Sequence, residues 1–128
     1  MVSPSEPRTE AGLYWGYTTR IAETFSQVFT GCPHRDGYDL MLGTSEKGDN
    51  VDGLTLKPFS NLLIVFGGVG GLEAALHADD NLDVTDPREL FDHYLDVCPN
   101  QGSRTIRTEE AILIAMSRLQ TKLDQAHN

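Results

Sequence analysis

The chain has 128 residues, 39% of them hydrophobic and 8% aromatic, with a formal net charge of −9. That length suits one globular domain with a real core and leaves little room for a separate substrate module. No apolar run approaches the ~20 residues of a membrane span, and so acidic a chain lacks the clustered Lys and Arg that neutralise a nucleic-acid backbone. Residues 1–10 are polar and contain proline, without a basic-then-apolar leader pattern, which points to an intracellular location, nuclear or cytoplasmic. Cys32 and Cys98 each precede a proline, Cys-x-x-Cys pairs are absent and the four histidines are scattered. The thiols are therefore expected to be reduced, with neither a disulfide framework nor a metal site.

In chain order, residues 1–12 read as a loop punctuated by Pro4, Pro7 and Gly12. Residues 13–20, LYWGYTTR, are aromatic and β-branched and predict a strand. Residues 21–29 shift to helical spacing, with Ile21, Phe25, Val28 and Phe29 on one face, and Gly31, Cys32 and Pro33 end the helix. A second short strand is predicted over 38–42, followed by a loop over 43–46 and a mobile polar connection over 49–57. The run LLIVF at 62–66 is the most apolar of the chain; continuous and not alternating, it predicts a strand buried on both faces of a parallel sheet. It ends in Gly67-Gly68-Val69-Gly70-Gly71, and a helix over 72–77 opens at Glu73. Residues 79–88 are acidic and turn-like, and a short strand is predicted over 94–97.

The stretch at 98–111, CPNQGSRTIRTEEA, runs from four turn-formers into an apolar helix that extends to about Leu123, with 124–128 as a tail. Thr108 is the expected N-cap, and Glu109 and Glu110 suit the positive end of the helix dipole. Capping alone accounts for these residues. This order of elements is an α/β pattern, and ligands in such folds sit beyond the carboxyl ends of the strands. Three loops, at 43–46, 67–71 and 99–107, would converge there.

The glycine loop is not a dinucleotide fingerprint, because Glu73 stands where the third glycine is needed and would repel a pyrophosphate. A phosphate-binding P-loop is excluded because no Gly-Lys-Ser/Thr follows. A plain tight turn remains one reading. A neutral or cationic ligand such as S-adenosylmethionine fits better, with adenine held by backbone groups, its ring against Ile106 or Leu72, and Glu73 and Asp96 tolerated by the sulfonium and amino groups. Ser45 and Ser103 show no histidine partner for nucleophilic hydrolysis, and His93 has no evident role.

The segments LLIVFGGVGGLE at 62–73 and QGSRTIRTEEA at 101–111 resemble the second and third motifs of the SPOUT class of RNA methyltransferases, the α/β-knot enzymes. Gly102 to Ala111 follows that class's G-x-x-x-[IL]-R-T-E-x-A pattern. Together with YWGYTTR at 14–20, YDLMLGTSEKG at 38–48 and residues 91–111, the chain is similar over nearly its whole length to a eukaryotic and archaeal subfamily whose human member is spindle- and centromere-associated. The resemblance implies a trefoil-knotted α/β core over 13–123 with a mainly parallel sheet, the C-terminal helix being threaded through a loop. It also implies a homodimer, an RNA substrate and S-adenosyl-L-methionine as cofactor.

Carried over by position, the cofactor contacts are Thr44, Lys47, Gly68, Gly70, Asp96, Gln101, Gly102, Ile106 and Thr108, mostly through backbone groups. Lys47 replaces a usual arginine and Asp96 a usual asparagine, changes that remove a bidentate donor and add a charge. Arg20 and Arg104 are the candidates for guiding RNA phosphate or stabilising charge at the methyl acceptor, against the plain reading of solvated or ion-paired arginines. Arg107 is expected to rigidify the knot loop through a carboxylate. Trp15 and Tyr17 are candidates for stacking on a base or for burial.

Relatives begin with a further strand and helix of the α/β domain, carrying basic residues and followed by an inserted β-barrel-like module, so that N-terminal part is expected to be missing here. Two functions follow as expectations: a class IV RNA methyltransferase or its cofactor-binding fragment, and a catalytically inactive remnant acting as an interaction module.

Overall fold

The computed structural model describes residues 17–67, 71–79, 86–102 and 106–127. Most of the strand expected over 13–20 lies outside these residues; its last four positions, 17–20, are exposed coil and carry no strand. The first helix among the described residues, α1, is Phe25–Thr30, shorter than the helical spacing suggested. Thr24 caps it by accepting from the Gln27 N–H, and the Gly31 N–H closes it on the Gln27 carbonyl at 2.8 Å. Asp79, buried and 53 residues away, accepts from the Ser26 N–H at 2.6 Å, placing a carboxylate at the positive end of this short helix.

Three parallel strands form the sheet: β1 (Leu40–Asn50), β2 (Leu62–Val65) and β3 (His93–Asp96), in the order β2-β1-β3. The α/β class with a parallel sheet is as the sequence predicts. The central strand differs from expectation, because β1 continues through what reads as a loop at 43–46. Thr44 and Asp49 both pair with Leu95, so residues between them bulge out of the ladder. Gly48 sits in that bulge, where a Cβ would stand 2.6 Å from the Tyr94 carbonyl oxygen. Only a bare backbone permits such an approach.

The apolar run is likewise corrected. It forms β2, but among the described residues β1 is its one neighbour in the sheet, which puts it at an edge, and its four residues are half-buried. Its side chains alternate between two cores. Leu62 and Ile64 pack on the cluster of Leu40, Leu42, Leu95, Ala115 and Leu119, while Val65 packs on the cluster of Leu72, Phe91 and Tyr94. The run is apolar because both faces meet a layer, though neither face is sealed.

The connection at 49–57 is not a loose tether. Val51–Gly53 is a 3-10 turn capped by Asn50, and Val51 and Leu54, three residues apart and so on one face, are buried in the first cluster. Asp39 accepts from the N–H groups of Ser60 (2.9 Å) and Asn61 (2.8 Å) and so sets the entry to β2.

Helix α2 is Gly71–His77, burying Leu72 and Leu76. Helix α3, Thr108–Ala126, buries Ala115 and Leu119 and runs three residues past the expected end. There it meets the β1–β2 connection: the Phe59 N–H bonds the Ala126 carbonyl at 3.2 Å, and Phe59 and His127 form an isolated bridge with ring centroids 5.2 Å apart.

Candidate functional site

Because all three strands are parallel, their carboxyl ends open on one side, and the chain leaves each of them there. Between these exits lies a cavity of about 470 Å³, within the size range of small-molecule sites. Of the nine residues assigned to a cofactor by position, Thr44, Lys47, Asp96, Gln101, Ile106 and Thr108 line it. Gly68 and Gly70 lie outside the described residues, though Gly67 and Gly71 on either side of that segment are in the wall. Gly102 is exposed and off the lining. Leu72 is packed in the second core and is off the lining, whereas Ile106 is on it, with Phe66 and Val97 as further apolar residues of the wall.

The walls are stitched by hydroxyls. Thr44 at the end of the regular part of β1 donates to the Val65 carbonyl at 3.1 Å, and Thr108 donates to the Gly67 carbonyl at 3.0 Å. Thr108 is thus not the N-cap of α3. That position falls to Arg107, whose N–H bonds the Glu110 carboxylate at 3.1 Å, while the Thr108 hydroxyl ties the helix to the glycine loop. Gly67 itself has no room for a side chain, since a Cβ would lie 2.7 Å from the Leu72 nitrogen.

On the third wall, Asp96 accepts from the Cys98 N–H at 3.1 Å and turns the chain away from β3. Asn100 then adopts the left-handed region at φ 62°, a conformation asparagine tolerates better than most residues.

A network in and behind the β1 wall had no local signal in the sequence. Tyr94 donates to Glu73 Oε1 at 2.6 Å and Ser45 donates to the same oxygen at 3.2 Å, contacts spanning 21 and 28 residues. Burial pushes the Glu73 carboxyl up, but the bonds from Tyr94, its own backbone N–H and Ser45, with the charge of Lys47, pull it below the ordinary glutamate value. The Tyr94 phenol is raised, first by burial and then by its bond to Glu73.

Arg88 braces this wall from outside. It donates to the Lys47 carbonyl at 2.8 Å, pairs with Asp49 at 3.2 Å and lies 5.7 Å from the Tyr94 ring centroid. A sequence reading could have found only the period-2 placement of Tyr94 opposite Leu95, not its partner.

Of the two arginines assigned to the acceptor, the described one, Arg20, is not among the residues lining this cavity. Arg20 lines a separate cleft, where it donates to the Gly31 carbonyl and, at 3.3 Å, to the Tyr38 hydroxyl. Arg104 lies outside the described residues. Arg107 does line the cavity.

Four carboxylates (Glu46, Glu73, Asp96 and Glu109) face two cations (Lys47 and Arg107) around the lining. That balance disfavours a phosphate-rich ligand and suits a neutral or cationic one. Among the described residues no group of three or more His, Cys, Asp and Glu could hold a metal ion, and no helix is long and apolar enough to cross a membrane.

Fold and cavity together define an α/β ligand-binding domain with its site at the carboxyl ends of a parallel sheet. The chain belongs to a family of RNA methyltransferases: the family model described as "Putative RNA methyltransferase" matches residues 1–119. It is 58% identical to a 28S rRNA (uridine-N(3))-methyltransferase of Mus musculus over 98% of this chain, and 57% identical to the Homo sapiens protein of that name, also over 98%. A Drosophila melanogaster protein of the same name is 56% identical over 96%. The chain spans 32%, 34% and 26% of the lengths of these three relatives.

Proposed function

We propose that this chain carries the cofactor site of an S-adenosylmethionine-dependent RNA methyltransferase of the SPOUT, α/β-knot class, with α3 as the knotted element and a homodimer as the working form. The observation that carries the reading is one cavity: the two motifs that resemble the class, far apart in sequence, both line it and are joined there by the bond from the Thr108 hydroxyl to the Gly67 carbonyl. The donor set fits the cofactor. Backbone groups at 44–47 and 96–101 and around Gly67 offer donors and acceptors for an adenine edge, Ile106 offers an apolar surface, and the excess of carboxylates suits a ligand with cationic groups.

When bound, S-adenosylmethionine supplies an electrophilic methyl group on a sulfonium. The chain's own part is to hold and orient. Thr44, Lys47, Asp96, Gln101, Ile106 and Thr108 would hold the cofactor, joined by Gly68, Gly70 and Gly102. Methyl transfer depends mainly on positioning, so the hydroxyl stitches that fix the walls are part of the machinery. The relatives are named for uridine N3 of 28S rRNA, and that is the acceptor we assign to the complete protein. Arg20 and Arg104 take the role of guiding RNA phosphate, Arg20 from the second cleft, and the working location is intracellular, nuclear or cytoplasmic. The inactive-module reading finds no observation in its favour.

Isothermal titration of the 128-residue chain with S-adenosylmethionine tests the site. One saturable cofactor per chain is expected, and no heat of binding at about 1 mM cofactor, a threshold corresponding to ~4 kcal/mol of binding free energy, overturns the reading.

A further inference from the structure

We propose that Glu73 is the specificity-determining residue of the cavity, a single fixed negative charge that favours a cationic sulfonium ligand over the neutral thioether left when the methyl group has gone. This rests on the cavity being an S-adenosylmethionine site. S-adenosylmethionine and S-adenosylhomocysteine differ by one methyl group and the positive charge on sulfur. Shape can discriminate through the room that one methyl takes, by about 10–200-fold in a closely fitted pocket. The charge on sulfur is the difference that a fixed carboxylate can select for.

The four carboxylates around the cavity are not equivalent. Glu46 and Glu109 are exposed, so water and salt screen them. Asp96 is engaged in turning the chain through its bond from the Cys98 N–H. Glu73 is half-buried in the first turn of α2, and Tyr94 and Ser45 hold its Oε1 in place. Its other oxygen lies over Gly71, 2.7 Å from where a Cβ would stand, so the absence of a side chain there is what admits the carboxylate.

Both anchoring groups are neutral hydroxyls, which orient the charge without cancelling it. Among the described residues the ion pairs are Lys57–Asp92, Arg88–Asp49 and Arg118–Asp52, none of which involves Glu73. Lys47, the cation that acts on Glu73, is itself exposed and screened. A partly desolvated, immobilised carboxylate with no ion-pair partner among the described residues gains most from a ligand that brings its own cation. The same charge releases the neutral product more readily than the substrate cofactor, which keeps product from occupying the site.

The experiment compares affinities of the 128-residue chain for S-adenosylmethionine and S-adenosylhomocysteine by titration, for the unsubstituted protein and for Glu73→Gln. Gln keeps the shape of the side chain and its ability to accept from Tyr94. The ratio of the two affinities is expected to move toward S-adenosylhomocysteine by roughly tenfold in Glu73→Gln, with the thioether's own affinity altered by no more than about twofold. Equal weakening of both ligands, or an unchanged ratio, overturns the assignment while leaving the cavity as the cofactor site. Failure of both ligands to bind the unsubstituted chain overturns the cavity reading and this inference with it.

A measurement on the unsubstituted chain stands should the variant not fold. Raising salt from about 0.05 to about 0.5 M should leave the preference for S-adenosylmethionine over S-adenosylhomocysteine unchanged within about twofold, because a half-buried carboxylate is screened much less than the exposed ones. A preference that disappears at high salt, or is absent at either salt concentration, overturns the role of Glu73.

Discussion

Single side chains set much of the geometry here by satisfying backbone groups. Asp39 takes the N–H groups of Ser60 and Asn61, and these two bonds hold its carboxyl below the ordinary value of 3.8, with the charge of Lys57 adding to the effect. A carboxyl whose folded value is depressed contributes stability above its unfolded value, and that contribution is lost as pH falls through the folded value. Urea midpoints of the natural chain should therefore decline between about pH 5 and pH 2 more steeply than those of Asp39→Asn, which has no charge to lose. Glu73 is depressed too and titrates in the same direction, so the difference between the two proteins, not either slope alone, isolates Asp39. Parallel pH profiles would show that the two backbone bonds do not depend on the charge.

At the scale of elements, α3 is the one on which the first core and the cavity both depend. Leu119 is fully buried on its inner face beside Leu40, Leu42 and Leu95. Leu119→Ala should lower unfolding free energy by ~2–5 kcal/mol, seen as a shift in denaturant midpoint at constant slope. A shift of less than ~1 kcal/mol would mean that the helix is not packed on the sheet as described.

This helix was legible in the sequence because local signals agreed: turn-formers, then Thr108, Glu109 and Glu110, then apolar residues at helical spacing. So was the existence of α2 after the glycine loop. The continuation of β1 was not. Gly43, Thr44, Ser45, Glu46, Lys47 and Gly48 have the composition of a turn. They are held extended by β3 and by Phe91, whose ring fills the space a Gly43 side chain would need, only 2.6 Å from the Cβ position. The edge position of β2 was equally hidden, since an apolar run reports contact with two layers and not the number of neighbouring strands. Around the cavity, Thr44, Lys47, Asp96, Gln101, Ile106 and Thr108 line the walls and Gly102 does not, whereas the pairing of Glu73 with Tyr94 and Ser45 depends on a strand order that no local window contains.

For the molecule as a whole, charge is the dominant constraint. A chain of net charge −9 carries a field that opposes approach to a polyanion. In fluorescence anisotropy at about 0.15 M salt, it should bind a ribosomal RNA fragment no more tightly than about 10⁻⁴ M, the weak end of non-specific affinities. The relatives are about three times as long or longer, so on the proposed reading their grip on RNA is expected from sequence outside the part that this chain matches. Micromolar binding by these 128 residues would overturn that division of labour and direct attention to the cleft beside Arg20.

The closure of α3 on the β1–β2 connection bears on how the protein can be handled. The helix is about 28 Å long, with one end at the glycine loop and the other bonded through Ala126 and His127 to Phe59, just ahead of the edge strand. A purification tag or reporter fused directly after this helix would pull on a rod whose opposite tip is cavity wall. Handles for immobilisation or labelling belong instead on the exposed coil near residue 17, remote in sequence from every residue of that wall.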